Sequence, residues 1–296
     1  MGDLTQASPF GTSPKVNRPP LPGPLLLPGR SSLPVLISVP HAGRDYPDWL
    51  IALSRRGRAT LEPLEDPLVD RLVWRALALG IPAVIARAPR AAIDCNRAPH
   101  EIEPDGRLSP PVEEPGPRAR AGLGLVPSRT NAHGDLWRGR IGADDLARRQ
   151  AEAWAPYHQA IADGLDAIER RHGAALLIDC HSMPPRARRE PGIVIGDLHG
   201  TSAAPMLSAR AGQIVRAAGY GVAFNDPYAG GYIAQHHGRP AVGRHVLQIE
   251  IDRIYYLDAR LRAAGDGFDK VARLIESLAA GLGQALTESV LPIAAE

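Results

Sequence analysis

The chain has 296 residues, is 44% hydrophobic and 22% charged, and carries a formal net charge of +2. Such a composition suits a globular protein with a large core, and the near-balance of charge argues against a nucleic-acid partner. No apolar run approaches the ~20 residues of a membrane span, and the N-terminus lacks a basic and apolar leader, so a cytoplasmic protein without a membrane partner is expected.

Residues 1–32 are rich in Pro, Gly and Ser and read as a disordered or draped tail. One catalytic domain is expected over residues 33–290. It begins with residues 33–39 (LPVLISV), apolar on both faces as a buried parallel strand should be, and this strand ends at the turn Pro40-His41-Ala42-Gly43. Asp66-Pro67 carries the signature of a helix start, and the helix should run to Gly80. Residues 83–88 read as a strand, with residues 91–97 (AAIDCNR) as a candidate for another. Residues 98–140 have no periodicity, and a stretch of that length inside a compact domain is expected to be functional or mobile.

A long amphipathic helix is predicted over 143–171, closed by Gly173. Strands follow at 174–179 (AALLID), 192–197 (GIVIGD), 220–225 and 245–251 (HVLQIEI). Helices are expected at 202–218 and 258–287. Alternating strands and helices predict an α/β single domain, a mostly parallel mixed sheet flanked by helices.

In such sheets, ligands bind beyond the carboxyl ends of the strands. His41 and His181 each stand at the end of an apolar strand, and neutral imidazoles there suit a zinc ion or another divalent metal. Catalytic zinc commonly has three protein ligands and an open position. Asp66, Asp70 and Asp45 are candidates for the third, with Asp66 preferred despite its alternative role as a helix cap. Glu250 sits in the otherwise apolar QIEID run. A buried carboxylate must pair, meet a metal or face a cleft, so Glu250 reads as a general base or as the partner of Arg253.

Arg90, Asn96 and Arg97 bracket Asp94 and offer planar donors for a substrate carboxylate. Gly230 and Gly231, followed by His236-His237, form a glycine-rich loop that lets backbone approach a ligand but lacks the phosphate-loop pattern. Cys95 and Cys180 lack C-x-x-C spacing and read as buried, reduced packing residues.

The segments SVPHAGRDYP, EDPLVDRL, RAAIDCNR, LLIDCHSMP, IVIGD, NDPYAGGYI, HGRP and LQIEIDRIYY stand in the order found in the N-formylglutamate amidohydrolase family, which the chain resembles over about residues 34–285. That family is similar in architecture to zinc carboxypeptidases. The resemblance implies zinc ligands at His41 and His181, a catalytic role for Glu250, and a substrate-carboxylate grip at Asn96-Arg97. It implies hydrolysis of a small N-acyl amino acid such as N-formylglutamate. A metallopeptidase on the same site and a non-catalytic binding protein of the same fold are the alternatives. Two features depart from the pattern. Arg44 replaces the Glu of a His-x-x-Glu pair, so the third ligand must come from elsewhere. Ala229 and Gln235 stand where cationic side chains are common, which leaves the glycine-rich loop without its own cations. Neither the residues nor the resemblance fixes an oligomeric state.

Overall fold

In a computed structural model that describes residues 18–102 and 116–290, seven strands lie side by side in one sheet. They are Leu25–Leu27 (β1), Val35–Val39 (β2), Ala83–Ile85 (β3), Ala175–Met183 (β4), Ile193–Gly196 (β5), Val222–Phe224 (β6) and Arg244–Asp252 (β7). Their order across the sheet is β1-β3-β2-β4-β7-β5-β6. The central pairs β3·β2, β2·β4 and β4·β7 are parallel, as is β5·β6, while β1·β3 and β5·β7 are antiparallel. This is the mostly parallel, mixed α/β single domain that the alternation of elements predicts.

The period-2 geometry of a strand explains how the sheet serves two layers and a site. Val35, Ile37 and Val39 of β2, Leu176 and Ile178 of β4, and Leu247 and Ile249 of β7 face one way. They pack on the helices Trp74–Ala78, Pro205–Ala217 and Phe268–Val290. Leu36, Ala175, Leu177 and Val246 face the other way, onto Tyr157, Ile161 and Leu165 of the helix Ala155–His172. Along that second face the residues change from apolar to polar toward the carboxyl ends. Ser38 pairs in register with Asp179, Asp179 with Gln248, and His181 with Glu250. The chemistry therefore occupies the last positions of a face that is otherwise core.

Several local expectations differ from the structure for definable reasons. The helix predicted from Asp66 starts at Val69, after Leu68 in a left-handed conformation (φ 59°), and breaks again between Leu72 and Trp74. Residues 91–97 form turns rather than a strand, because the Asp94 carboxylate accepts the Asn96 N–H in place of a ladder partner. The final helix begins at Phe268, ten residues later than predicted, since Leu257 bridges to Ala264 and holds the intervening chain in a turn.

The long helix contains one wide turn, Gln150–Trp154, between Ala143–Arg149 and Ala155–His172. Pro156 has no N–H to donate to Glu152 four residues back, which accounts for the wide turn. That turn presents the Trp154 Nε1–H to the Arg97 carbonyl at 2.9 Å. Of the expected tail, residues 18–32 lie on the domain, with Leu21 buried and Leu25–Leu27 paired to β3; residues 1–17 lie outside the described residues. Within 98–140 the described part includes a helical turn Pro117–Arg120 and a small hairpin, Arg129–Thr130 with Gly134–Asp135, whereas 103–115 lie outside the described residues. Cys95 and Cys180 are both free and buried, and burial raises both thiols, as does the charge of the neighbouring aspartate. No described helix is long and apolar enough to cross a membrane.

Candidate metal centre and its cavity

His41 follows β2 across Pro40, and the chain turns at once because Gly43 passes against the Ala88 carbonyl. A Cβ on Gly43 would stand 2.1 Å from that oxygen, so glycine is required there. The His41 carbonyl accepts the Asp66 N–H at 2.9 Å, which fastens the Asp66 backbone beside it. His181 arrives from β4 next door. The three residues are each only 2% exposed.

Their orientation is the informative part. His41 Nε2 donates to Asp94 Oδ1 at 2.7 Å, and His181 Nε2 donates to Asp179 Oδ2 at 2.8 Å. Each ring is thereby fixed with its proton outward and its Nδ1 lone pair inward. The two Nδ1 atoms lie 3.1 Å apart, and Asp66 Oδ2 lies 3.3 Å from each. Three potential ligand atoms converge, and when the rings are neutral no hydrogen lies between them. Ligand bonds of about 2.0 Å at tetrahedral angles would separate ligand atoms by about 3.3 Å, so the residues present fit a zinc-sized ion. Both imidazoles also carry the carboxylate backing common behind metal-bound histidines.

Electrostatics agree. Burial alone would push Asp66 up, but hydrogen bonds and charge from His181 and His41 hold its carboxyl well below its ordinary value. Burial opposes charge on His181, yet Asp179, Asp66 and Glu250 together raise its affinity for a proton. The cluster therefore favours a positive charge at its centre. Asp94 is likewise held low against the cost of burial, by Arg90, His41 and Arg97.

Arg253 is turned to Asp66 rather than to Glu250. Its Nη2 donates to Asp66 Oδ1 at 3.2 Å, and its Nε donates to Ser182 Oγ at 3.1 Å. Glu250, in register opposite His181, accepts from Gln248 Nε2 at 2.9 Å and has no ion-pair partner among the described residues. Burial raises its proton affinity, while His181 lowers it. Of the other carboxylates considered as third ligand, Asp70 is paired with Arg44 at 2.6 Å and Asp45 with Arg87 at 2.6 Å, away from the cluster.

The cluster opens into a cavity of about 270 Å³. His41, Asp66, His181 and Glu250 form its floor, and Arg90, Asn96 and Arg97 form part of its wall. Arg90 reaches Asp94 through Nε at 2.8 Å. Asn96 joins three elements: its Nδ2 donates to Gln248 Oε1 at 3.2 Å, and its Oδ1 accepts the Ile233 N–H at 2.9 Å. Gly231 is what permits that contact, since a Cβ there would lie 2.3 Å from Asn96 Oδ1. The glycine pair thus brings the loop against Asn96, and it is Tyr228 from the same loop that lines the cavity.

Arg118, Leu123, Tyr228, Met183 and Pro184 also line the cavity; Met183, Pro184 and Tyr228 fall within segments that carry the family resemblance, whereas Arg118 and Leu123 carry no signal in sequence. Arg118 is one arginine among many in an irregular stretch, and only tertiary structure brings it here. His236 and His237 lie on the short helix Tyr232–His237, where His237 Nε2 meets His158 Nδ1 at 3.0 Å in a separate buried cluster.

With that geometry established, the comparisons with known proteins are specific. The sequence matches the family N-formylglutamate amidohydrolase over residues 33–257. It is similar to the N-formylglutamate deformylase of Pseudomonas aeruginosa, 31% identical over 238 residues, which span 77% of this chain and 84% of the relative. The N-formylglutamate deformylase of Pseudomonas putida is 29% identical over 235 residues, 76% of this chain and 82% of the relative. Among solved structures, N-formylglutamate amidohydrolase from Ralstonia eutropha JMP134 superposes with a TM-score of 0.83 at 30% identity, covering 90% of this chain and 99% of that one. A gene product of Agrobacterium tumefaciens shares the fold, with a TM-score of 0.64 at 18% identity over 90% of this chain and 95% of that one.

Proposed function

The chain belongs to the N-formylglutamate amidohydrolase family, and from that premise we propose that it is a metal-dependent amidohydrolase releasing formate from an N-formyl amino acid of the N-formylglutamate type. The observation that carries the reading is the convergence of His41 Nδ1, His181 Nδ1 and Asp66 Oδ2 within 3.3 Å, at the bottom of a small cavity and beside Glu250, which makes no ion pair among the described residues. The names of the relatives support the choice of substrate.

A divalent cation, zinc by preference, held by those three atoms would polarise the acyl carbonyl and acidify water at the site. Glu250 is the general base: a carboxylate in no ion pair among the described residues accepts one proton from the attacking water. The water oxygen forms a bond to the formyl carbon, the carbon–nitrogen bond breaks, and Glu250 returns the proton to the departing amine. Asp94 and Asp179 keep the two imidazoles in the required tautomer and orientation. Arg97 and Asn96, with Arg90 behind them, orient a substrate carboxylate and so position the amide over the cluster. Gly230 and Gly231 act indirectly, by seating the loop that brings Tyr228 to the cavity.

A cavity of about 270 Å³ suits a small acylated amino acid better than a peptide. The test is a screen of zinc-loaded protein against N-formyl, N-acetyl and N-succinyl amino acids and short N-formyl peptides. Formate release from N-formyl-L-glutamate is expected. Turnover of none of them would refute the reading, and a preference for peptides would replace it with a peptidase.

A further inference from the structure

Four arginines line the cavity, namely Arg90, Arg97, Arg118 and Arg253, against the two carboxylates Asp66 and Glu250. They are not equivalent. A guanidinium has five N–H donors, and their destinations can be counted. Arg253 is committed to Asp66, Ser182 and the Glu65 carbonyl. Arg90 is committed to Asp94 and the Leu64 carbonyl. Both charges are thus compensated by carboxylates that support the metal cluster.

Arg97 donates to the Leu123 and Asn96 carbonyls, with Asp94 4.0 Å from its Nη2. Arg118 donates one bond, from Nη2 to the Gly230 carbonyl at 3.3 Å, and makes no ion pair among the described residues. Among those residues it therefore brings a half-buried, uncompensated charge with most of its donors free, from a segment separate from the strand ends. Arg97 and Arg118 are close enough to repel: burial lowers the proton affinity of Arg97, Asp94 opposes that, and the charges of Arg90 and Arg118 lower it further. Two neighbouring guanidinium groups in a cavity wall are stabilised by an anion between or beside them.

Resting on the reaction proposed above, we infer that Arg118 holds a second carboxylate of the substrate. The preference for a dicarboxylate, which the family's name already implies, is then carried in this chain by Arg118. One carboxylate meets Arg97 and Asn96, and the side-chain carboxylate meets Arg118. A dianion also balances the cavity, where arginines outnumber carboxylates before any divalent ion is added.

The test compares equilibrium binding of N-formyl-L-glutamate and N-formyl-L-norvaline, which lacks the side-chain carboxylate, to the zinc-loaded protein carrying Glu250→Gln so that the ligands persist. The glutamate compound should bind about 10- to 100-fold tighter, the range expected for a charge-assisted contact. Adding Arg118→Gln, which can still donate to the Gly230 carbonyl, should bring that ratio close to one. Arg118→Lys should retain part of it, because the charge stays and the fork is lost. The assignment is overturned if the parent shows no preference, if the ratio survives Arg118→Gln, or if both ligands weaken equally, as loss of a purely structural tie would produce. Turnover by protein retaining Glu250 is measured in parallel. Absence of hydrolysis refutes the proposed reaction, while the affinity ratio still decides the role of Arg118.

Discussion

The two halves of the cavity are built differently. The floor, with His41, His181 and Glu250, stands on the ends of three adjacent parallel strands: ladder pairing fixes His181 and Glu250, His41 follows just beyond its strand, and buried aspartates fix both rings. The upper wall, with Arg118, Leu123 and Tyr228, comes from irregular segments that meet one another through single contacts such as Arg118 to the Gly230 carbonyl. Catalysis needs atoms held to fractions of an ångström, and strands supply that; recognition tolerates, and uses, adjustable loops. On this account, damage to the floor abolishes the reaction, whereas damage to the wall redistributes substrates or weakens binding.

The hardest test of the division is His181→Ala. Removing one of three ligands should release the metal and reduce kcat/KM by about 10³-fold or more, the worth of several kcal/mol of Lewis-acid stabilisation. Metal content after gel filtration, measured beside activity, checks it; full metal occupancy in this variant would move the ligand set elsewhere. Next in size is Glu250→Gln. Loss of the general base should cost about 10²- to 10⁴-fold in kcat with metal retained. Unchanged turnover by the zinc-loaded Glu250→Gln variant would remove Glu250 from the chemistry.

Asp94→Asn and Asp179→Asn probe the floor one layer out. Each should weaken metal affinity by about 10- to 100-fold, read by competition with a chelating dye. Equal affinity to the unaltered protein would mean that the rings need no backing. The smallest effect is expected at the junction of floor and wall. Gly231→Ala sets a Cβ 2.3 Å from Asn96 Oδ1 and should lower stability by about 1–3 kcal/mol, seen as a depressed melting temperature. Metal affinity should change little in that variant, and a collapse of metal binding would show that the two halves are one unit.

The same division governs what could be read from sequence. The strands β2, β4 and β7 were legible because a parallel strand buried on both faces leaves a continuous apolar run, and a polar residue at its end stands out. His41, His181 and Glu250 are conspicuous for that reason. Asp66 was harder, since Asp-Pro is also a helix-start signal. Here the backbone N–H of Asp66 is bound by the His41 carbonyl and its side chain faces the histidines, so the helix waits until Val69. The reading of residues 91–97 as a strand failed because the Asp94 carboxylate takes over hydrogen bonding that a ladder would have used.

Arg118 is not legible in sequence, and Tyr228 is marked only by its place in the NDPYAGGYI segment. Nothing local distinguishes an arginine in an arginine-rich loop, and only the fold brings the Pro117–Arg120 turn against Gly230. The glycine-rich loop lacks cations of its own at Ala229 and Gln235, and the structure supplies one to the same place from a different segment. The short helix Tyr232–His237 is not legible in sequence because glycines flank it on both sides; the Asn96 side chain holds it by accepting the Ile233 N–H.

The central claim, a cation held by His41, Asp66 and His181 that drives hydrolysis of an N-formyl amino acid, is tested most directly by stripping and restoring the metal. Formate release from N-formyl-L-glutamate is followed in protein treated with chelator and then titrated with zinc. The account predicts that activity disappears on stripping and returns linearly up to one zinc per chain. Undiminished formate release from protein shown by elemental analysis to be free of metal would contradict it.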